Sequence, residues 1–345
     1  MKSFKRHRDF GLFDTDFRIE KLIKLGDPLY RLSKGVDFEI FRVLLTDKLS
    51  KFAKAPGGRP PYDYVMMFKI LILQRYFNLS DDQVEFQICD RISFMRFLGL
   101  TIADDVPDSK TVWHFREQLV ESDIVEELFM LFVQELEKLG LILNQGKIVD
   151  ASFVEVPKQR NTREQNKQIK EGKVPKEFIE KPNQLAQKDT DARWTKKNNV
   201  TFFGYKNHSK IDQGGKFVTK YKVTDASVHD SQEIVNLVDD KDKNQDLYAD
   251  SAYVGDELHS ELKKKEVILK IHEKGYKNNP LTDEQKANNN SKSSIRVRVE
   301  HVFGFMENSM NGMTLEYIGI KRIKAAVGMM NLVYNMFRKL QLQAI

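Results

Sequence analysis

The chain has 345 residues, 41% hydrophobic and 31% charged, with a formal net charge of +6, a composition that suits about two folded domains and excludes disorder. The longest apolar stretch, Tyr64 to Leu73, is interrupted by Lys69 and too short to span a bilayer, and no apolar core follows the basic N-terminus, so neither a membrane span nor a signal peptide is expected. The single cysteine, Cys89, excludes a disulfide framework and an all-cysteine zinc site.

In chain order, residues 1–55 carry moderate helical periodicity, and Gly57-Gly58-Arg59-Pro60-Pro61 reads as a turn or short linker. Tyr64 to Phe77 is apolar nearly all round, which predicts a buried helix. Ser80-Asp81-Asp82 caps the next helix, whose apolar positions Val84, Phe86, Ile88 and Cys89 run on to Phe94, Phe97 and Leu98. Pro107-Asp108-Ser109 starts another, and a last one runs from Asp123 to Gly140. Residues 1–140 therefore read as an all-helical domain.

The pattern then changes. Lys147 to Val156 is β-branched and stops at Pro157, which predicts a strand. Val200 to Lys206 and Lys216 to Thr224 follow as strands, the second entered through a hairpin turn at Asp212-Gln213-Gly214-Gly215. Next come a helix from Asp230, a strand Asp246–Asp250, a helix Val254–Lys265 and a strand Val267–Ile271. A polar loop over Asn278–Lys292, a helix Ile295–Met310 and a closing helix from Gly319 to about Gln341 complete the chain. Three strands followed by alternating helix and strand predict an α/β fold with a sheet of mixed direction over 141–345.

Charge is unevenly spread. From Pro157 to Lys210 there are fourteen basic residues against six acidic ones, a local charge of +8 that exceeds the excess of the whole chain. Such a segment suits a polyanion, although a solvated basic loop explains it equally.

Three carboxylates stand out. Asp150 lies mid-strand among apolar neighbours, where a buried charge needs a partner or a metal unless it turns to solvent. Asp250 ends another strand, the edge where α/β sheets gather their ligands, but it also suits a helix N-cap. On adjacent strands the two would repel each other without a cation between them. Glu300 follows Arg296 by four residues on a helix, a spacing that also describes an ordinary surface pair. Three carboxylates without a Cys or His quartet favour a hard ion, Mg²⁺ or Mn²⁺, over zinc.

Ile148-Val149-Asp150-Ala151-Ser152, Ala249-Asp250-Ser251-Ala252-Tyr253 and Arg296-x-x-x-Glu300-x-x-Phe303 together resemble the three catalytic blocks of DDE transposases. Phe203 to His208, Ala226 to Asp230 and Gly58 to Tyr62 resemble intervening segments of the insertion-sequence-five group of bacterial insertion sequences. Glu307 departs from related groups, which often carry a lysine there. The resemblance covers roughly residues 55–340. It implies an RNase H-like catalytic domain preceded by a helical domain that recognises DNA ends, with the basic stretch 157–199 as an insertion. It also implies catalysis by two metal ions on Asp150, Asp250 and Glu300: hydrolysis at the ends of a mobile element, then strand transfer into target DNA. A homodimer or larger assembly on DNA, acting in the cytoplasm at the nucleoid, goes with that reading. A nuclease of the same fold without strand transfer, or an idle DNA-binding regulator, are the alternatives.

The expected DNA contacts are Arg193, Trp194, Lys196 and Lys197, where an aromatic stands among cations, and Lys206, His208 and Lys210, which alternate along one strand face. For Arg296 two roles compete, orienting the Glu300 carboxylate or gripping a phosphate next to the scissile bond, since its planar fork suits carboxylate and phosphate alike; its place after a polar loop favours the phosphate.

Overall fold

The computed structural model describes residues 11, 13–52, 60–197, 199–253, 255–275 and 280–343; the expected turn at Gly57–Arg59 lies outside them. The N-terminal part is helical: α1 (Asp14–Lys24), α2 (Pro28–Gly35), α3 (Arg42–Leu49), α4 (Tyr64–Phe77), α5 (Asp81–Asp90), α6 (Ile92–Leu98), α7 (Ser109–Ser122) and α8 (Val125–Lys138). The Asp63 carboxylate accepts from the Met66 N–H to start α4, and Asn78, at φ 50°, ends it in the left-handed conformation. The expected run from Asp81 into Phe97 divides at Arg91, whose extended backbone separates α5 from α6.

Six strands follow: β1 (Lys147–Glu155), β2 (Arg193–Lys197), β3 (Val200–Asp212), β4 (Val218–Asp225), β5 (Asp246–Ala249) and β6 (Ile268–Ile271). Short helices α9 (Arg163–Lys170), α10 (Lys176–Ile179) and α11 (Pro182–Leu185) occupy the basic stretch between β1 and β2. The sheet runs β2-β3-β1-β5-β6, with β4 also on β3. β1 is antiparallel to β3 and parallel to β5, which is parallel to β6, so the mixed sheet expected from the sequence forms. Gly204 is where β3 passes from β2 to β4; at φ +146°, a Cβ there would collide with the Val154 carbonyl of β1.

The last helices are α12 (Asp230–Leu237), α13 (Asp256–Lys264), α14 (Asp283–Arg296), α15 (Arg298–Gly304) and α16 (Ile320–Gln343). Helices cover both faces of the sheet. α12 packs beside Val149, Leu247 and Ala249. α16 covers the other face and also packs on α4 and α8, so one apolar core joins the helical part to the sheet. Two asparagines fasten α16 to the sheet: Asn335 accepts from the Val218 N–H (2.9 Å) and donates to its carbonyl (2.8 Å), and Asn331 pairs with Asn207 of β3. α16 comes so close that a Cβ at Gly328 would clash with the Tyr221 hydroxyl.

The C-terminal region departs from expectation in two places. The polar stretch expected as a loop is largely helical, as α14. Its Asn and Ser residues are poor helix formers, but Thr282 and Gln285 form a reciprocal cap and the Asn289 side chain clasps the backbone N–H and carbonyl of Glu273. The helix expected over Ile295–Met310 is split at Val297 and widens into a π turn over Phe305–Ser309. Among the described residues no helix is long and apolar enough to cross a membrane.

Candidate active site

Asp150 and Asp250 are brought together by register. Ile148 pairs with Tyr248 across parallel β1 and β5; two residues further along each segment come Asp150 and, just past the end of β5, Asp250, close enough to raise the Asp150 carboxyl. Side chains alternate along a strand, so Asp150 shares the face of Ile148, opposite that of Val149, which packs towards α12. Asp250 starts a turn, its carboxylate accepting from the Ala252 N–H (2.8 Å).

α14 closes over this edge, held by three contacts to the ends of β5 and β6. His272 meets the Ala249 carbonyl through Nδ1 (3.1 Å), which must therefore carry the proton, leaving Nε2 to accept from the Ser293 hydroxyl (2.8 Å). Lys292 donates to the Ile271 carbonyl (2.9 Å), and Asn289 holds Glu273. These anchors aim the last residue of α14: Arg296 Nη1 donates to Asp150 Oδ2 at 2.8 Å. Its Nη2 lies 3.9 Å from Glu300 Oε1, one turn on in α15.

The electrostatics follow from this packing. The Asp150 side chain is 15% exposed and that of Glu300 62%. Burial pushes the Asp150 carboxyl up to about 6; the Ala151 N–H and Arg296 pull it down, and Asp250 pushes it further up. Tyr253, buried beside these groups, has its phenol raised by burial and by Asp150, Asp230 and Asp250, and its hydroxyl has no hydrogen-bond partner among the described residues. The Ser152 hydroxyl, on the same strand face as Asp150, is likewise buried and unpartnered. Arg296 spans Asp150 and Glu300; among the described residues no three acidic, histidine or cysteine side chains come together as a metal-binding group.

The expected DNA contacts divide. β2 is an edge strand on which Trp194 is 41% exposed, its ring tilted against Phe203 at 4.8 Å. Lys196 and Lys197 are exposed, and Lys197 lies over the Phe153 ring, close enough to lower the Asp150 carboxyl. Arg193 turns inward to the Thr190 and Ala192 carbonyls. Lys206, His208 and Lys210 do share a face, as alternation predicted, but that face is internal, because β3 lies between β1 and β4 with α12 packed over it. Lys206 is paired with Asp230 (2.8 Å) and Lys210 with Asp239 (2.8 Å) and Asp242 (2.6 Å). His208 is bonded to Thr224, and burial lowers its imidazole to about 4. These three are structural, and their assignment to DNA is withdrawn.

The sequence reading gave no role to His272, Lys292, Ser152 or the Tyr253 hydroxyl. Tyr253 and Ser152 lie within motifs quoted for the resemblance, which was their one available signal; His272 and Lys292 have none, because their partners come from distant segments.

Residues 17–118 match the family described as Transposase domain (DUF772), and residues 143–336, more than half of the chain, match that described as Transposase DDE domain. Among solved structures, the chain is similar to the piggyBac transposase in a cryo-EM synaptic complex with hairpin DNA, at 11% identity over 92% of this chain and 76% of that one, with a TM-score of 0.48.

Proposed function

The chain belongs to the Transposase DDE domain family and is a DDE-type transposase, and from that premise we propose that it binds the terminal inverted repeats of its own mobile element, cuts there and joins the freed 3′ end to target DNA. The observation that carries this reading is Arg296 donating to Asp150 and lying beside Glu300, at the edge where Asp250 is close enough to raise the Asp150 carboxyl. Four strands joined by antiparallel pairings, β1 to β4, followed by the parallel β5 and β6, support an RNase H-like domain, and the likeness to the insertion-sequence-five group belongs to the same reading.

The donor set fits a hard divalent ion. It consists of carboxylate oxygens, the donors that such ions prefer. Asp150, Asp250 and Glu300 would hold Mg²⁺ or Mn²⁺, two ions in this reading. Such ions supply Lewis acidity to a scissile phosphodiester and make water a stronger nucleophile.

The chain's own residues do the rest. Arg296 exchanges Asp150 for a phosphate when DNA arrives, since its fork serves either anion. Lys196, Lys197 and Trp194 on edge strand β2 guide the strand towards Asp150. Tyr253 Oη, with no partner of its own, is free to donate to an oxygen entering between the aspartates. The helical part to about residue 140 reads the ends, the insertion at 157–199 adds non-specific affinity, and the assembly on DNA is a dimer or larger, at the bacterial nucleoid.

Supercoiled plasmid carrying the element's ends tests this. Nicking with Mg²⁺ that is lost in Asp250→Asn, and joining of a pre-cut 3′ end, are expected. Nicking without joining would reduce the protein to a nuclease, and nicking by Asp250→Asn would remove the assigned site.

A further inference from the structure

Away from the catalytic edge, a cavity of about 60 Å³ lies between α4, α7 and α16, where the helical part meets the last helix. A single water needs roughly 10–15 Å³ measured this way, so the cavity has room for a few non-hydrogen atoms. Its charged lining is mostly cationic: Arg75, Arg116 and Arg322 against one carboxylate, Glu117. Arg322 is committed to Glu117 at 2.7 Å, and Arg116 to Asp81 behind it at 2.6 Å.

Arg75 is different. It is 8% exposed, and among the described residues it has no acidic partner. One terminal nitrogen donates to Asn78 Oδ1 at 2.8 Å, while Nε is buried without any acceptor. The C-terminal end of α4 offsets part of the charge, but arginine cannot shed its proton to escape burial, so an unpaired guanidinium here costs several kcal/mol. Tyr317, over whose ring Arg116 sits at 5.3 Å, is electrostatically coupled to both Arg75 and Arg116. Its hydroxyl makes no hydrogen bond among the described residues.

We propose that this cavity is a phosphate site, in which a tetrahedral oxyanion accepts from Arg75 Nε and the Tyr317 hydroxyl and ties α4 to the segment that leads into α16. A tetrahedral anion suits donors arriving from two separate segments, and its size matches the cavity. The phosphate is either free or part of a DNA backbone.

The test uses the full chain with inorganic phosphate as probe, against chloride at equal ionic strength. Phosphate at about 100 times its dissociation constant is expected to raise the melting temperature by roughly 3–5 °C. Arg75→Met is expected to abolish that shift and to melt higher than the parent without phosphate, because an apolar side chain replaces an unpaired buried charge. Ala326→Leu, which fills the cavity from α16 and leaves Arg75 intact, should abolish the shift as well, and it serves if Arg75→Met does not fold. A short DNA duplex identifies the source. A salt slope of binding lower by about one in Arg75→Met than in the parent assigns the site to a backbone phosphate, and an equal slope assigns it to free phosphate, provided that the phosphate shift is present. No shift in the parent beyond chloride together with equal slopes, or the same shift in both variants, would overturn the proposal.

Discussion

Replacing Asp150 with asparagine should abolish cleavage and yet stabilise the metal-free protein at neutral and alkaline pH. Its carboxyl is raised from 3.8 to about 6, so the folded state holds that proton more tightly than the unfolded chain does. The associated stability is fully present below about pH 4 and lost as pH rises through 6. Two units at about 1.4 kcal/mol each amount to about 3 kcal/mol, and the side chain is buried enough for that conversion to hold to order of magnitude. Asparagine keeps an acceptor for the Ala151 N–H but gives Arg296 a weaker one, which trims the net gain to about 1–3 kcal/mol, or roughly 1–4 °C in melting temperature. Calorimetric melts of parent and Asp150→Asn in chelator at pH 5 and pH 8 measure it. The difference should be large at pH 8 and small at pH 5, and adding Mg²⁺ should raise the parent alone. A variant that melts lower than the parent at pH 8, or a difference independent of pH, would refute the reasoning.

Charge reversal of Lys196 and Lys197 should weaken non-specific DNA binding and flatten the slope of log K against log salt by roughly two units, one per lost phosphate contact, read by titration at several salt concentrations. Lys210→Met should leave that slope unchanged and cost about 3–5 kcal/mol in denaturant melts, because it strands Asp239 and Asp242. Asn335→Ala should destabilise by about 2–4 kcal/mol, since it leaves the buried Val218 N–H and carbonyl short of partners; a loss below 0.5 kcal/mol would show that α16 does not depend on that clasp.

What the sequence determined by itself is local or periodic. The apolar run of α4, the capping box at Ser80, the β-branched strand at Lys147 and the hairpin at Asp212 all carry their own signals, and each forms close to where it was expected. Asp150 and Asp250 were legible because a carboxylate within or just after an apolar strand is conspicuous, whereas Glu300 was legible only through the resemblance. Tertiary structure decided what depends on partners far along the chain. Alternation put Lys206, His208 and Lys210 on one face of β3, but the packing of α12 made that face internal and turned three expected DNA contacts into buried, partnered groups. The Asn-rich segment lacks helical propensity and became α14 through a cap and through bonds to Glu273, Ile271 and His272. Those same bonds bring Arg296 to Asp150 across 146 residues of chain. A hydrogen bond over that separation has no periodicity to announce it; it exists because two surfaces, each legible alone, are pressed together.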